Sequence, residues 1–441
     1  MPMMDESNPK PKVCSFCSLV CEIPNLDNRS EDPIGLADGA VVAPGAVGAD
    51  GPEHEPWCSK RSIQRKLVPL RLASMANVQS AAVTSDAAVT SDAQDSFLES
   101  SLRIVSQQLR RSSSILVTGR IHCVESARGA IELARRFDAA IDPWDSDPAS
   151  DAISAMQRGG GYSVSLGEAR DRADLWVVVG QDSLLEQTPR LASAMNRGES
   201  VRLLLLGRWS DASIQNFKSS GFDVICIECE LEDLPKRLGQ CMRVGQTHSE
   251  SQVGQWLLEA KYTVLLYAPS ALDFEGRDLW IEALDRWVLQ RNETTRAVTL
   301  VWGTLQSSFH QTCTWLTGFP GRIQFRQGIP QYDPHGYRAK DWVDRQTANP
   351  QAKSRSLLVW VDDSLEELPR ELLELDLPKL IIGPNPGSSN HQADRWLPAG
   401  IVGVTHTVNM FRGDQTILAN VHSDCPPGSQ MPSQWLKRFL S

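Results

Sequence analysis

Four cysteines near the start of the chain have the type and spacing to hold an inorganic group. Cys14, Cys17 and Cys21 follow a C-x2-C-x3-C pattern, and Cys58 stands alone after residues 22–57. A [4Fe–4S] cluster often takes three thiolates from one tight turn and a fourth from a distant segment. Zinc also accepts four thiolates, but its structural sites usually come as two C-x2-4-C knuckles, and here the second half is a single Cys. The spacing therefore favours the cluster over zinc. A third reading, thiols that hold nothing, stays open. Lys60 would sit beside a cluster held by Cys58, where a cation could raise the potential or orient a second cofactor. The alternative for Lys60 is a solvated side chain in the basic run that follows.

The chain as a whole narrows the classes. Its 441 residues admit two or three domains, and its net charge of −10 argues against nucleic acid or an anionic membrane surface as a partner. No apolar run approaches the ~18 residues of a membrane span. Residues 1–12 are polar and carry no apolar signal core, so a cytoplasmic location is expected. In that setting the ten cysteines read as thiols or metal ligands, not as a disulfide framework.

The elements that must position any chemistry begin near residue 94. Residues 22–57 are rich in Gly, Pro and Asp and read as loop; residues 81–92 repeat Ala-Ala-Val-Thr-Ser-Asp twice, a tolerant surface linker. Then short apolar runs alternate with helical patterns. The runs are Ile115–Gly119, Asp174–Gly180, Arg202–Gly207, Val224–Ile227, Tyr262–Tyr267, Ala297–Gly303, Leu357–Asp362 and Leu380–Gly383. Continuous apolar strands separated by helices mean parallel sheets covered on both faces. The expected fold is α/β: a small N-terminal Cys-rich domain of iron–sulfur type (1–72), a linker (73–93), doubly wound parallel-sheet domains (94–250 and 251–390), and a C-terminal segment (391–441). Strands ending in Gly or Asp put loops at the carboxyl edge, where open α/β sheets bind ligands. No phosphate-binding glycine motif occurs; Gly159–Gly161 reads as a flexible turn. In Cys226-x2-Cys229, Cys226 lies in an apolar strand and reads as a buried thiol. Residues 312–334 show little periodicity and read as a functional loop, with packing against the sheet as the alternative; the Gly and small residues of 393–414 allow close backbone approach to a neighbour or ligand.

These residues resemble the molybdopterin oxidoreductases, and within them the B subunit of formylmethanofuran dehydrogenase. The likeness is carried by the four-Cys set, Cys123 with the Glu125–Ala134 helix, Ile141-Asp142, Ser165–Gly180, Trp315-Leu-Thr-Gly-Phe-Pro320, Gly328–Pro334 and Ala393–Arg412. The resemblance implies a formate dehydrogenase-like fold and a [4Fe–4S] cluster on Cys14, Cys17, Cys21 and Cys58. It also implies a tungsten or molybdenum bis-molybdopterin guanine dinucleotide. The strand-end residues Gly119, Gly180, Gln181, Asp182, Gly303 and Asn385 would line the pterin cleft. In the family a Cys or selenocysteine in the loop after Ile141-Asp142 holds the metal, with a His beside it. Here Pro148 and Ala149 stand at those positions, with Asp147 or Ser146 as substitutes only if the register slips. A thiolate both holds such a metal and tunes its potential, and its loss argues against redox chemistry. The departure is similar to the B subunit of bacterial formyltransferase/hydrolase complexes. That implies a non-redox structural subunit in one-carbon metabolism linked to tetrahydromethanopterin and a methanofuran-like carrier. Its implied partners are a zinc-dependent hydrolase (A), a C subunit and a formyltransferase (D). The competing expectation is a redox-active formylmethanofuran dehydrogenase subunit.

Overall fold

The computed structural model describes residues 102–196, 198, 200–236, 252–303, 306–349, 355–364, 368–384, 394–421 and 430–440. Cys14, Cys17, Cys21, Cys58, Lys60, Asn385 and the expected linker lie outside them. In chain order the strands are β1 (Ser114–Arg120), β2 (Ala140–Ile141), β3 (Leu175–Gln181), β4 (Val201–Arg208), β5 (Phe222–Ile227), β6 (Tyr262–Tyr267) and β7 (Arg296–Val301). They continue with β8 (Ile323–Arg326), β9 (Ile329–Tyr332), β10 (Ser356–Asp362), β11 (Lys379–Gly383), β12 (Arg395–Pro398), β13 (Val408–Phe411) and β14 (Leu418–Val421).

The chain is mixed α/β with parallel sheets, compatible with a doubly wound arrangement. One sheet has the order β12-β11-β10-β1-β2-β8-β9, parallel from β12 to β2 with the β8–β9 hairpin added antiparallel. The second has the order β5-β4-β3-β6-β7 and is parallel throughout. β13 and β14 form a separate antiparallel pair.

Both faces of each sheet are apolar, which is why the strands read as unbroken hydrophobic runs. In β3, Trp176 and Val178 pack into one core while Leu175, Val177 and Val179 pack into another. In β10, Leu357, Val359 and Val361 face the core that includes helix Val124–Arg136, while Leu358 and Trp360 face Trp144 and Trp342. A side chain of this size contributes roughly 1.5–3 kcal/mol on burial.

The sheets do not divide near residue 250. β1 and β2 pair with strands beyond residue 320, whereas β3 to β7 form one continuous unit between them. One segment expected to be irregular is regular in part: residues 312–334 contain the end of helix Ser307–Thr317 and the β8–β9 hairpin; residues 393–414 contain β12 and β13. The aromatic, Gly and Pro content of 312–334 obscured periods only four residues long. Cys226 is exposed, not buried, because β5 is an edge strand with few neighbours; Cys229 is the buried member of the pair. Among the described residues no helix is long and apolar enough to cross a membrane.

Gly119 shows how closely β1 and β10 approach. Its φ is +143°, and a Cβ there would lie 1.9 Å from the Val361 carbonyl oxygen. Gly119→Ala should therefore cost more than about 4 kcal/mol or abolish folding. Gly167→Ala, where the added Cβ meets only Ser165 Oγ at 4.0 Å, should be neutral or stabilising by roughly 0.4–1 kcal/mol. Urea denaturation of the two variants checks the contrast.

Candidate functional site

A cavity of about 830 Å³ opens where carboxyl ends of strands from both sheets meet. In the second sheet the strand order reverses between β3 and β6, the place where open α/β sheets bind ligands. Gln181 and Ser183 after β3, Pro269–Asp273 after β6, and Trp302 and Gly303 after β7 line it. The first sheet contributes the loop after β2 and the start of helix Asp147–Gly159. His310 and Gln311, from helix Ser307–Thr317, close another side.

The cleft residues expected from sequence separate into two groups. Gln181 and Gly303 line the cavity. Gln181 donates its side-chain N–H to the Ala271 carbonyl at 3.4 Å, tying β3 to the segment after β6. Gly303 donates its backbone N–H to Gly413 at 2.8 Å, and a Cβ would meet Ser307 Oγ at 2.4 Å. Gly119, Gly180 and Asp182 are not in the wall. Gly119 serves the approach of β10. Beside Gly180 the equivalent approach is allowed by Gly207, whose added Cβ would lie 2.0 Å from the Gly180 oxygen; Gly180 itself has a φ of +156°. Asp182 turns to the Ser210 backbone N–H at 3.0 Å. Burial opposes its charge, but hydrogen bonds from Ser213 and Ser210 hold its carboxyl below the usual range.

The 141–151 loop reaches the cavity as the sequence suggested, with Asp145, Asp147, Pro148 and Ala149 in the wall. Pro148 and Ala149 present no ligating atom. Asp147 is clamped by two guanidinium groups: Arg338 at 2.5 Å and Arg322 in a direct ion pair. Burial works to raise its carboxyl, but the Arg338 hydrogen bond and the charges of Arg322, Arg338 and Lys340 outweigh that and lower it. Ser146 donates its hydroxyl to Asp142 Oδ2 at 2.9 Å, which also accepts the Ala339 N–H at 2.9 Å. Both possible substitute ligands are thus committed to fixing the loop.

Asp142 and His310 show what this packing does to ionisation. Asp142 is buried, and burial, only partly offset by Arg322, pushes it from 3.8 to about 7. His310 is 6% exposed and bonds the Pro320 carbonyl through Nδ1 at 2.8 Å. A carbonyl can only accept, so Nδ1 carries the proton and Nε2 is an acceptor. Burial and the nearby Arg322 charge lower His310 to about 4, so it is neutral at physiological pH. His310 Nε2, Asp142 Oδ1 and Arg322 Nε are all buried without a hydrogen-bond partner among the described residues. Sequence reading missed both residues as site members. The one available signal was the Trp315–Pro320 block, whose carbonyl at Pro320 orients His310.

A raised carboxylate pKa gives stability that is complete below the unfolded value, near pH 4, and lost as pH rises through the folded value, near pH 7. Asp142→Asn should therefore be more stable than the parent at pH 8, by on the order of 4 kcal/mol, with the difference vanishing towards pH 4. Denaturation midpoints of the two proteins across that range test this.

No family model matches the chain. It is 25% identical over 226 residues to the B subunit of the formyltransferase/hydrolase complex Fhc of Methylorubrum extorquens, covering 48% of this chain and 58% of that protein. It is 21% identical over 332 residues to the B subunit of tungsten-containing formylmethanofuran dehydrogenase 2 of Methanocaldococcus jannaschii, covering 70% of this chain and 74% of that protein. In fold it resembles a chain in the crystal structure of the formyltransferase/hydrolase complex FhcABCD from Methylorubrum extorquens, solved with methylofuran. The TM-score is 0.64 at 20% identity, over 78% of this chain and 94% of that one. In sequence, over part of its length, the chain is similar to the B subunits of a formyltransferase/hydrolase complex and a formylmethanofuran dehydrogenase, spanning 58% of the first of them, and its fold resembles that of a chain in the FhcABCD complex.

Proposed function

We propose that this chain is the B-type subunit of a formyltransferase/hydrolase complex and acts there as a structural, non-redox component. The carrying observation is the cavity wall at residues 147–149. Its Asp is held by Arg322 and Arg338, and its Pro and Ala have no metal-binding side chain. A tungsten or molybdenum bis-pterin does not fit these residues. Its metal would find no thiolate in the loop, and its polyanionic dinucleotide would face a wall whose two described cations are already paired. Lys340 meets Asp145 at 3.0 Å and Arg277 meets Asp151 at 2.8 Å. The redox alternative is disfavoured by the same chemistry.

In this reading the partners are a zinc-dependent hydrolase (A), a C subunit and a formyltransferase (D), and the complex works on a methanofuran-like carrier in the cytoplasm. The chain's own contribution is a doubly wound, formate dehydrogenase-like body that docks and aligns them. A [4Fe–4S] cluster on Cys14, Cys17, Cys21 and Cys58 would be a structural element of the N-terminal domain, since a cluster with no redox centre to serve has no electron to pass.

Anaerobic purification of the complex through a tag on this chain tests the reading. The partner subunits should co-elute, and the complex should hydrolyse its formyl carrier without an electron acceptor. Metal analysis should give roughly four irons per chain and neither tungsten nor molybdenum. Near-stoichiometric tungsten or molybdenum, or formyl turnover that requires an electron acceptor, would overturn it.

A further inference from the structure

The cavity has hydrogen-bonding capacity left over in its described wall: apart from the Ser183 hydroxyl, which can donate or accept, the groups below are acceptors. Five carboxylates line it, from Asp145, Asp147, Asp273, Asp285 and Asp414, against the cations Arg277 and Lys340. Both cations are spent on Asp151 and Asp145. Asp147 is spent on Arg322 and Arg338, and Asp414 on Arg412. Asp273 and Asp285 face the cavity with no cation among the described residues. A separate observation agrees: the His310 imidazole, in the wall and more than nine-tenths buried, has an Nε2 acceptor with no donor. Buried acceptors without donors are costly, so a molecule that brings donors gains most here.

Asp285 is the better placed of the two carboxylates. It is half-buried and receives one hydrogen bond, from the Thr299 hydroxyl at 3.4 Å. The Thr299 backbone N–H is bonded to the Tyr162 carbonyl at 2.7 Å, which brings Tyr162 to the same stretch of wall. Tyr162 is 40% exposed and Met156 51% exposed, and both line the cavity. The Arg296 guanidinium lies over the Tyr162 ring, 6.0 Å from its centroid, so the ring already meets one cation; a carboxylate lining the same cavity as an aromatic ring and an apolar chain is the chemistry that receives an organic ammonium.

We propose that this cavity binds an organic amine, its ammonium group paired with Asp285 and its body against Tyr162 and Met156, with His310 Nε2 accepting a further N–H or O–H from a longer ligand. The site belongs to this chain alone and stands whether or not the chain assembles as described above.

A matched pair of probes separates charge from shape: benzylamine, a cation near neutral pH, and benzoate, an anion with the same ring. Calorimetric titration of the full chain at about pH 7.5 should show saturable benzylamine binding at least about tenfold tighter than benzoate. Asp285→Asn keeps an acceptor for Thr299 and removes the charge; it should weaken benzylamine at least about tenfold. Tyr162→Ala, at an exposed side chain, should weaken it several-fold and serves if the first variant does not fold. Asp223→Asn, an exposed position on β5, should leave it unchanged. Benzoate binding as tightly as benzylamine, no saturable benzylamine binding, or a folded Asp285→Asn or Tyr162→Ala with unchanged affinity would each overturn the proposal.

Discussion

A guanidinium group is kept in a protein interior only where carboxylates and carbonyls meet it. Arg322, 5% exposed, sits under that constraint, and the cavity depends on how it is met. Its Nη1 donates to the Pro334 carbonyl at 2.5 Å, its Nη2 pairs with Asp147, and its Nε lies 4.0 Å from Asp142. These contacts tie the loop after β2 to the turns flanking the β8–β9 hairpin. Arg322 itself has a φ of +51°, a conformation a non-glycine residue keeps only when its surroundings hold it. Burial is what keeps His310 neutral, and the same charge adds to it, so this buried cation shapes the wall and reinforces the protonation state of its neighbour.

An ion-pair network orders the segment after β2: Asp147 between two arginines, Asp142 holding Ser146 and the start of helix Ala339–Ala348. Of the loop's carboxyl groups, Asp142 and Asp147 look inward to arginine or to a backbone donor, while Asp145 pairs with Lys340. What the cavity offers outward is a different chemistry, rich in acceptors.

Much of the fold was legible in the sequence because parallel strands buried on both faces are continuous apolar runs. Each of the eight runs read from sequence is a strand, displaced at most by a residue or two at its ends. The grouping into sheets was not legible. β1 pairs with β10, some 240 residues away, and no local pattern encodes so distant a partner. Within the site, Gln181 and Gly303 could be read from strand ends, as could the loop after Ile141. Asp182 could not be told from a cleft residue, since only the fold shows that Ser210 claims it. His310 and Asp285 lie inside helices, where a polar residue ordinarily means a solvated face. Their roles come from which side of the helix meets the cavity.

The second sheet is an unbroken stretch, β3 to β7, set inside the first, and this has a consequence for the order in which the molecule comes into being. Parallel pairing between distant segments is slow, because the chain entropy of closing the loop is lost before any contact rewards it. As the chain leaves the ribosome, β1 and β2 emerge with only each other to pair with, while the later strands β3 to β7 can find one another and fold as a unit. The first sheet closes only once β10 has been made. Until then β1 keeps its long edge open, the kind of segment that chaperones shield and that aggregates when they are scarce. The cavity, with walls drawn from both sheets, is among the last features to form, so a ligand added during refolding would act on completion of the molecule rather than on its first collapse.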